Sequence, residues 1–128
     1  SKDPALALSS VLLRTSQDWT GGKYRTYPEG LPELTVVKMH IPPNTTLPWY
    51  SHPMPNIAYV MAGSLTVETR DGKHRKVLKT GDVLPGTVGV VYRDVTGVQA
   101  ADLMVFYAGT VGLPGVERPK VDGKPATR

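Results

Sequence analysis

The sequence predicts an all-β protein built from many short strands. Its 13 glycines and 12 prolines make up about a fifth of the 128 residues. They are spread between short apolar stretches instead of being collected in a linker, which is the spacing that turns between strands produce. No helical period extends beyond a turn or two. Short strands joined by regular turns are typical of a sandwich or a closed barrel, and periodicity does not distinguish the two.

Eight stretches are candidate strands, bounded by Gly, Pro or Asp-Gly turns. They cover residues 11–15, 35–41, 57–61, 65–69, 75–78, 83–84, 88–94 and 103–108. The Asp71-Gly72 pair is a strong hairpin signal because both residues tolerate positive φ. Pro42 follows a strand in which Lys38 and His40 share one face, so we expect His40 to face water. We also expect Ala62-Gly63-Ser64 to turn the chain between the third and fourth strands.

Composition excludes several classes of function. The chain has no cysteine, which removes disulfides, thiolate zinc sites and thiol nucleophiles. The net charge of +4 is small, and the basic run Lys73–Lys76 is short, so we expect a solvated hairpin and no nucleic-acid partner. No apolar run is long enough for a membrane helix. The chain begins at Ser1 and not at Met, which either a removed export signal or a trimmed N-terminus explains. With the absence of cysteine, this leads us to expect an exported protein, with a cytoplasmic one as the alternative.

Two spaced motifs carry the chemistry. In the first, Tyr50-x-His52 is followed after three residues by Asn56 and after six more by Gly63. In the second, Gly81 is followed after five residues by Thr87-Val88-Gly89, and after two more by Tyr92. Side chains separated by one residue on a strand point the same way, so we expect Tyr50 and His52 to enter one site together.

These motifs resemble the two motifs of the cupins, which read H-x-H-x(3,4)-E-x(6)-G and G-x(5)-P-x-G-x(2)-H. The spacing is complete over residues 33–108, but Tyr50, Asn56, Thr87 and Tyr92 replace the family's residues. The resemblance implies a jelly-roll barrel whose mouth normally holds a metal. We expect a single cupin domain over residues 1–128, with an N-terminal strand at about 10–16 and a loosely held C-terminal tail at about 116–128.

The resemblance places Tyr50, His52, Asn56 and Tyr92 where related cupins bind their metal. Phenol has a pKa near 10 and becomes a good ligand only when a strongly Lewis-acidic ion lowers it. Imidazole suits iron and copper, and an amide oxygen is a weak donor. One hypothesis is therefore a metal-dependent enzyme, such as an oxidoreductase or dioxygenase, that holds one iron or copper ion on these four side chains.

The other hypothesis is a small-molecule binding protein without a metal. The tyrosines would then form the walls of a pocket, with their hydroxyls bonded to His52 or Asn56. We expect a small polar or aromatic ligand, with Met54 and Phe106 as further contacts. Strand parity also suggests Ala58, Val60 and Val90 as inward neighbours. A homodimer is expected because small cupins commonly pair and a strand near Val11 could extend a neighbouring sheet.

Overall fold

The computed structural model describes residues 7–121 and 124–125. Within these residues the chain is all β, and its strands are β1 (Pro32–Ile41), β2 (Asn56–Thr69), β3 (Arg75–Lys79), β4 (Val83–Pro85), β5 (Tyr92–Val95), β6 (Ala101–Thr110), β7 (Lys120–Val121) and β8 (Lys124–Pro125). Every pairing between them is antiparallel. The all-β prediction is confirmed. Across the same residues we find no helix that could cross a membrane.

β2 joins the two faces of the barrel. Its first half, Asn56–Gly63, lies between β6 and β4, whereas its second half, from Ser64 onwards, lies between β3 and β5. β1 extends the first of these sheets beyond β6. The prediction of two strands separated by a turn at 62–64 is wrong, because one strand continues through a bulge between Val60 and Ala62 and bends into the other sheet.

Gly63 makes that bend possible. Its φ is +90°, a conformation that strongly favours glycine. A Cβ at this position would lie 1.8 Å from the Ala100 backbone oxygen. The predicted hairpin at Asp71-Gly72 is confirmed between β2 and β3, where Gly72 has a φ of +77°.

Two predicted segments differ from the structure. Residues 10–16 form no strand, and Val11 and Leu12 are exposed at 65% and 69%. The strand expected over 88–94 begins only at Tyr92, because Gly89 takes a φ of +72° and bends the chain before it. Both segments are rich in residues that favour strands, which is why strands were predicted there. Neither segment pairs with another strand over its full length.

The C-terminal segment is attached to the barrel over the residues that the structure describes. Glu117 and Ser51 exchange two backbone hydrogen bonds of 2.8 Å. β7 and β8 then pair with each other, and the rest of the predicted tail, 122–123 and 126–128, lies outside the described residues. The expectation of a loosely held tail is therefore wrong at its beginning.

The apolar core fills the barrel between the two sheets. Its fully buried members come from β1, β2, β3 and β6 and include Ile41, Val60, Leu65, Val67, Leu78, Ala101 and Leu103. On β1, Ile41 is buried and Lys38 and His40 face outwards, as the alternation predicts. Among the buried polar residues, His52, Asn56 and Asp94 lie together at the end of the barrel formed by residues 50–56 and β5.

Candidate functional site

The two motifs meet through a direct backbone pairing. Tyr50 and Tyr92 exchange hydrogen bonds of 3.0 and 2.9 Å, so the segment before β2 lies against the start of β5. Alternation along an extended chain directs Tyr50 and His52 inwards from one side, and Tyr92 and Asp94 from the other. All four side chains are buried. The two tyrosine rings pack with their centroids 4.8 Å apart.

Tyr50 donates a hydrogen bond of 2.7 Å from its hydroxyl to Oδ2 of Asp94. Burial raises the pKa of Tyr50 far above its ordinary value, and the negative charge of Asp94 raises it further. Burial also raises the pKa of Asp94 to about 6, against the opposing effect of the Tyr50 hydrogen bond. Near neutral pH the pair is therefore a neutral phenol beside a largely ionised carboxylate.

His52 bridges the cluster and the C-terminal segment. Its Nδ1 donates to the Gly115 carbonyl at 2.6 Å, and its Nε2 lies 2.6 Å from the Tyr92 hydroxyl. Burial lowers the pKa of His52, with a smaller opposing effect from the Gly115 bond, which favours neutral imidazole. The Tyr92 hydroxyl consequently donates its proton to Nε2. Burial is also the main reason why the pKa of Tyr92 lies well above its ordinary value.

Asp94 carries a negative charge without a nearby cation. It is 4% exposed. The ion pairs found among the described residues are His40–Asp102 and Arg93–Glu68, so Asp94 has no cationic partner there. Its chain neighbour Arg93 also stacks over the Trp49 ring, 4.1 Å from the centroid. An ionised carboxylate removed from water in this way is costly unless something positive binds beside it.

Asn56 takes a different role from the other motif residues. Its side-chain nitrogen donates to the carbonyls of Met54 and Thr87, at 3.0 and 3.3 Å. Its side-chain oxygen lies so close to Gly86 that a Cβ there would come within 1.6 Å of it. The amide therefore braces the loop after β4 and forms part of the wall around the cluster.

The cluster surrounds a cavity of about 20 Å³, lined by Tyr50, His52, Asn56, Tyr92, Asp94, Tyr107 and apolar core residues. This is room for one water molecule or one ion, since a single water needs about 10–15 Å³ by the same measure. Organic ligands occupy pockets of roughly 300–1,000 Å³. This cavity among the four motif side chains therefore has no space for the polar or aromatic ligand that the sequence suggested.

The remaining predicted contacts lie elsewhere. Met54 is buried in the wall of a separate cavity of about 350 Å³, beside Tyr107. Phe106 pairs with Ile57 and lines a cavity on the outer face of the sheet. The expectation that Phe106 faces inwards is therefore wrong. Ala58 does line the interior cavity, whereas Val90 does not.

The donor set decides which metal could fit. Among the described residues there is no group of three or more His, Asp, Glu or Cys side chains, so a shell of three histidines is not formed. The side chains that converge instead offer two phenols, one imidazole nitrogen and one carboxylate. Oxygen-rich, anionic donors suit a hard, highly charged ion, and ferric iron fits this set better than zinc does.

Sequence reasoning missed Asp94, although a signal was available. Asp94 stands two residues after Tyr92, and same-face spacing on a strand directs it into the site once Tyr92 is placed there. The family's motif ends at the position of Tyr92 and does not include Asp94.

The comparisons with known proteins agree with this architecture. The cupin domain family matches residues 37–93. A cupin-like protein from Thermotoga maritima has 25% identity and a TM-score of 0.59, covering 67% of this chain and 64% of that one. No curated protein matches.

Two enzymes share the fold at lower identity. The polyketide cyclase RemF from Streptomyces resistomycificus has 20% identity and a TM-score of 0.59, covering 72% of this chain and 64% of its own. The DMSP lyase DddQ from Ruegeria pomeroyi has 18% identity and a TM-score of 0.62, covering 81% and 49%. This chain thus spans about half to two-thirds of these relatives. Together with the all-β structure, the match over residues 37–93 supports a small cupin domain of the jelly-roll fold.

Proposed function

We propose that this protein is an ion-binding cupin that holds one strongly Lewis-acidic metal ion, ferric iron by preference, inside its barrel. Tyr50, His52, Tyr92 and Asp94 would hold the ion. The observation that carries the proposal is the convergence of these four donors on one water-sized cavity. Asn56, predicted as a ligand, is assigned to the wall because its amide is engaged with the backbone.

The charge of the site supports a cation. Asp94 is buried without a described cationic partner, and the walls around it are mostly apolar. A bound cation would neutralise that charge where the protein supplies nothing else. Each phenol already donates its hydrogen to a base, Tyr50 to Asp94 and Tyr92 to His52. Because the ion would be bound by phenolate, carboxylate and neutral imidazole, the two phenol protons would be released to solvent on binding, and these hydrogen bonds would be replaced by bonds to the ion.

The cavity size limits what the ion could do. When bound, such an ion supplies Lewis-acid polarisation of an oxygen ligand or one-electron redox chemistry. The 20 Å³ cavity admits a water-sized molecule but not an organic substrate. The geometry therefore supports ion binding more directly than it supports the oxidation of a bulky substrate inside the barrel.

The test is iron and copper binding by the purified chain, measured by elemental analysis and visible absorption after adding each ion. We expect one iron per chain and a broad charge-transfer band from tyrosinate. Asp94→Asn and Tyr92→Phe should weaken iron binding by more than the roughly 10–100-fold that loss of an outer contact costs. Iron should also raise the melting temperature, because it binds the folded state preferentially.

Matched controls lie on the outer face of the sheet formed by β1, β6 and β2. Asp102→Asn removes an exposed carboxylate, and Tyr59→Phe removes an exposed phenol. Both variants should bind iron like the wild type. A chain that takes up no stoichiometric metal, or one whose Asp94→Asn and Asp102→Asn variants retain equal iron, would exclude the proposed site.

A further inference from the structure

A second, much larger cavity lies outside the barrel. It is about 570 Å³ in volume and is enclosed between the N-terminal segment, from Leu13 to Tyr27, and the outer face of β2 and β6. This volume falls within the range of roughly 300–1,000 Å³ that small-molecule sites occupy. The cavity is distinct from the interior site, and only Asn56 lines both.

The N-terminal wall of this cavity is anchored to the barrel. Gln17 pairs with Lys23, which folds the segment back on itself. The Trp19 amide donates to the Pro85 carbonyl at 3.0 Å, and the Tyr24 hydroxyl donates to the Gly86 carbonyl at 2.5 Å. These two hydrogen bonds, to the last residue of β4 and to the residue after it, hold the N-terminal wall in place although the segment contains no long strand.

The floor of the cavity is apolar and flat. Phe106 and Ile57 are direct cross-strand partners, and Ala108 lies two residues along on the same face of β6. Pro55 and Pro85 complete the floor at the strand ends. Neighbouring side chains on one sheet face form a surface against which a planar apolar group can pack.

The rim is basic. Arg14 and Arg25 line the cavity, both are exposed, and neither forms an ion pair with a described residue. Among the described side chains that line the cavity, none is acidic. Guanidinium groups bind carboxylates through paired, charge-assisted hydrogen bonds. An apolar floor below two free guanidinium groups matches a ligand with a flat apolar body and one acidic group.

We propose that this outer cavity binds a small organic anion of the aromatic carboxylate class. Its ring packs on Phe106 and Ile57, and its carboxylate is held by Arg14 and Arg25. The site is independent of the metal ion proposed above, because it shares none of the four proposed ligands.

The experiment titrates the full chain with 2-naphthoate and follows backbone amide shifts by NMR. We expect saturable shifts centred on Arg25, Ile57 and Phe106. The neutral isostere 2-naphthamide should bind at least about tenfold more weakly, because it offers the arginines no charge. The double variant Arg14→Gln/Arg25→Gln should lose naphthoate affinity by a similar factor and leave naphthamide affinity unchanged.

Arg70→Gln/Arg75→Gln is the matched control, because it removes the same charge from exposed positions at the β2–β3 hairpin. This control variant should bind naphthoate like the wild type, and so should Asp94→Asn. Equal affinity for acid and amide, unchanged affinity in Arg14→Gln/Arg25→Gln, or shifts confined to other surfaces would overturn the proposal. A dimer whose interface buries Arg25 and Ile57 would overturn it too, since a second copy would then fill the cavity.

Discussion

The two faces of the sheet formed by β1, β6 and β2 differ less in composition than in what they contact. On β6, Leu103 is 2% exposed and packs into the core, whereas Met104 is 41% exposed on the outside. On β1 the outer residues Leu34 and Val36 are 69% and 62% exposed. Antiparallel sheets usually place polar residues on the solvent side. On β6 the outer residues Met104, Phe106 and Ala108 are as apolar as the inner ones, so composition alone does not show which side of this strand is buried.

The comparison predicts that substitutions at neighbouring positions of β6 lower the free energy of unfolding by very different amounts. Leu103→Ala should destabilise the protein by about 2–5 kcal/mol, because it leaves a cavity in the core. Met104→Ala should cost less than about 1 kcal/mol, because the side chain is already partly in water. Urea unfolding of both variants measures the difference. Equal losses would mean that the outer face is covered in solution.

Gly63 and Gly72 provide a second contrast, between a half-buried bend and an exposed turn. Gly72→Ala should cost about 1–2 kcal/mol for its positive φ alone, since nothing lies within 4 Å of the added carbon. Gly63→Ala should cost at least about 2 kcal/mol, because the same strain is joined by a clash with the Ala100 carbonyl. Thermal unfolding of the two variants provides the comparison, and an equal loss would contradict the close approach at Gly63.

The predicted homodimer remains a prediction, and the exposed outer face offers a way to examine it. Val36→Lys places a charge in the middle of that face. If a second copy packs there, the variant should have half the molar mass of the wild type in light scattering. Its unfolding free energy as a monomer should change by no more than about 0.5 kcal/mol, as is usual for exposed positions. A wild-type protein that is already monomeric would exclude the dimer.

The smallest effect concerns Tyr24, which joins the N-terminal segment to the barrel. Burial and the Asp18 carboxylate raise the pKa of Tyr24 to about 12. A raised pKa means that folding favours the protonated phenol, so its contribution is complete below about pH 10 and is lost as the pH rises towards 12. Tyr24→Phe should therefore have a slightly lower melting temperature than the wild type at pH 8. The difference in melting temperature between the two proteins should be smaller at pH 11. A constant difference across that range would contradict the assignment.

Motif spacing predicted the fold and the meeting of Tyr50 with Tyr92, because spacing determines which residues a barrel brings together. Strand parity failed at Phe106 because the outer residues of β6 from Met104 to Ala108 are as apolar as the inner ones. The prediction of a turn at 62–64 was wrong because the sequence does not distinguish a glycine that bends a strand from a glycine that ends one. The small size of the cavity among the motif side chains was not predictable, since it depends on how Tyr107 and the core side chains fill the space around it.

The hydrogen bond from His52 to Gly115 spans 63 residues of sequence and sets the tautomer of the imidazole. A carbonyl can only accept a hydrogen, so neutral His52 is held with its proton on Nδ1 and its lone pair on Nε2, directed at Tyr92. The segment after β6 therefore fixes the tautomer of a side chain that lies far away in the sequence. Without that carbonyl, the described residues would not hold the proton on Nδ1, and Nε2 would no longer be kept as the acceptor of the Tyr92 hydrogen bond.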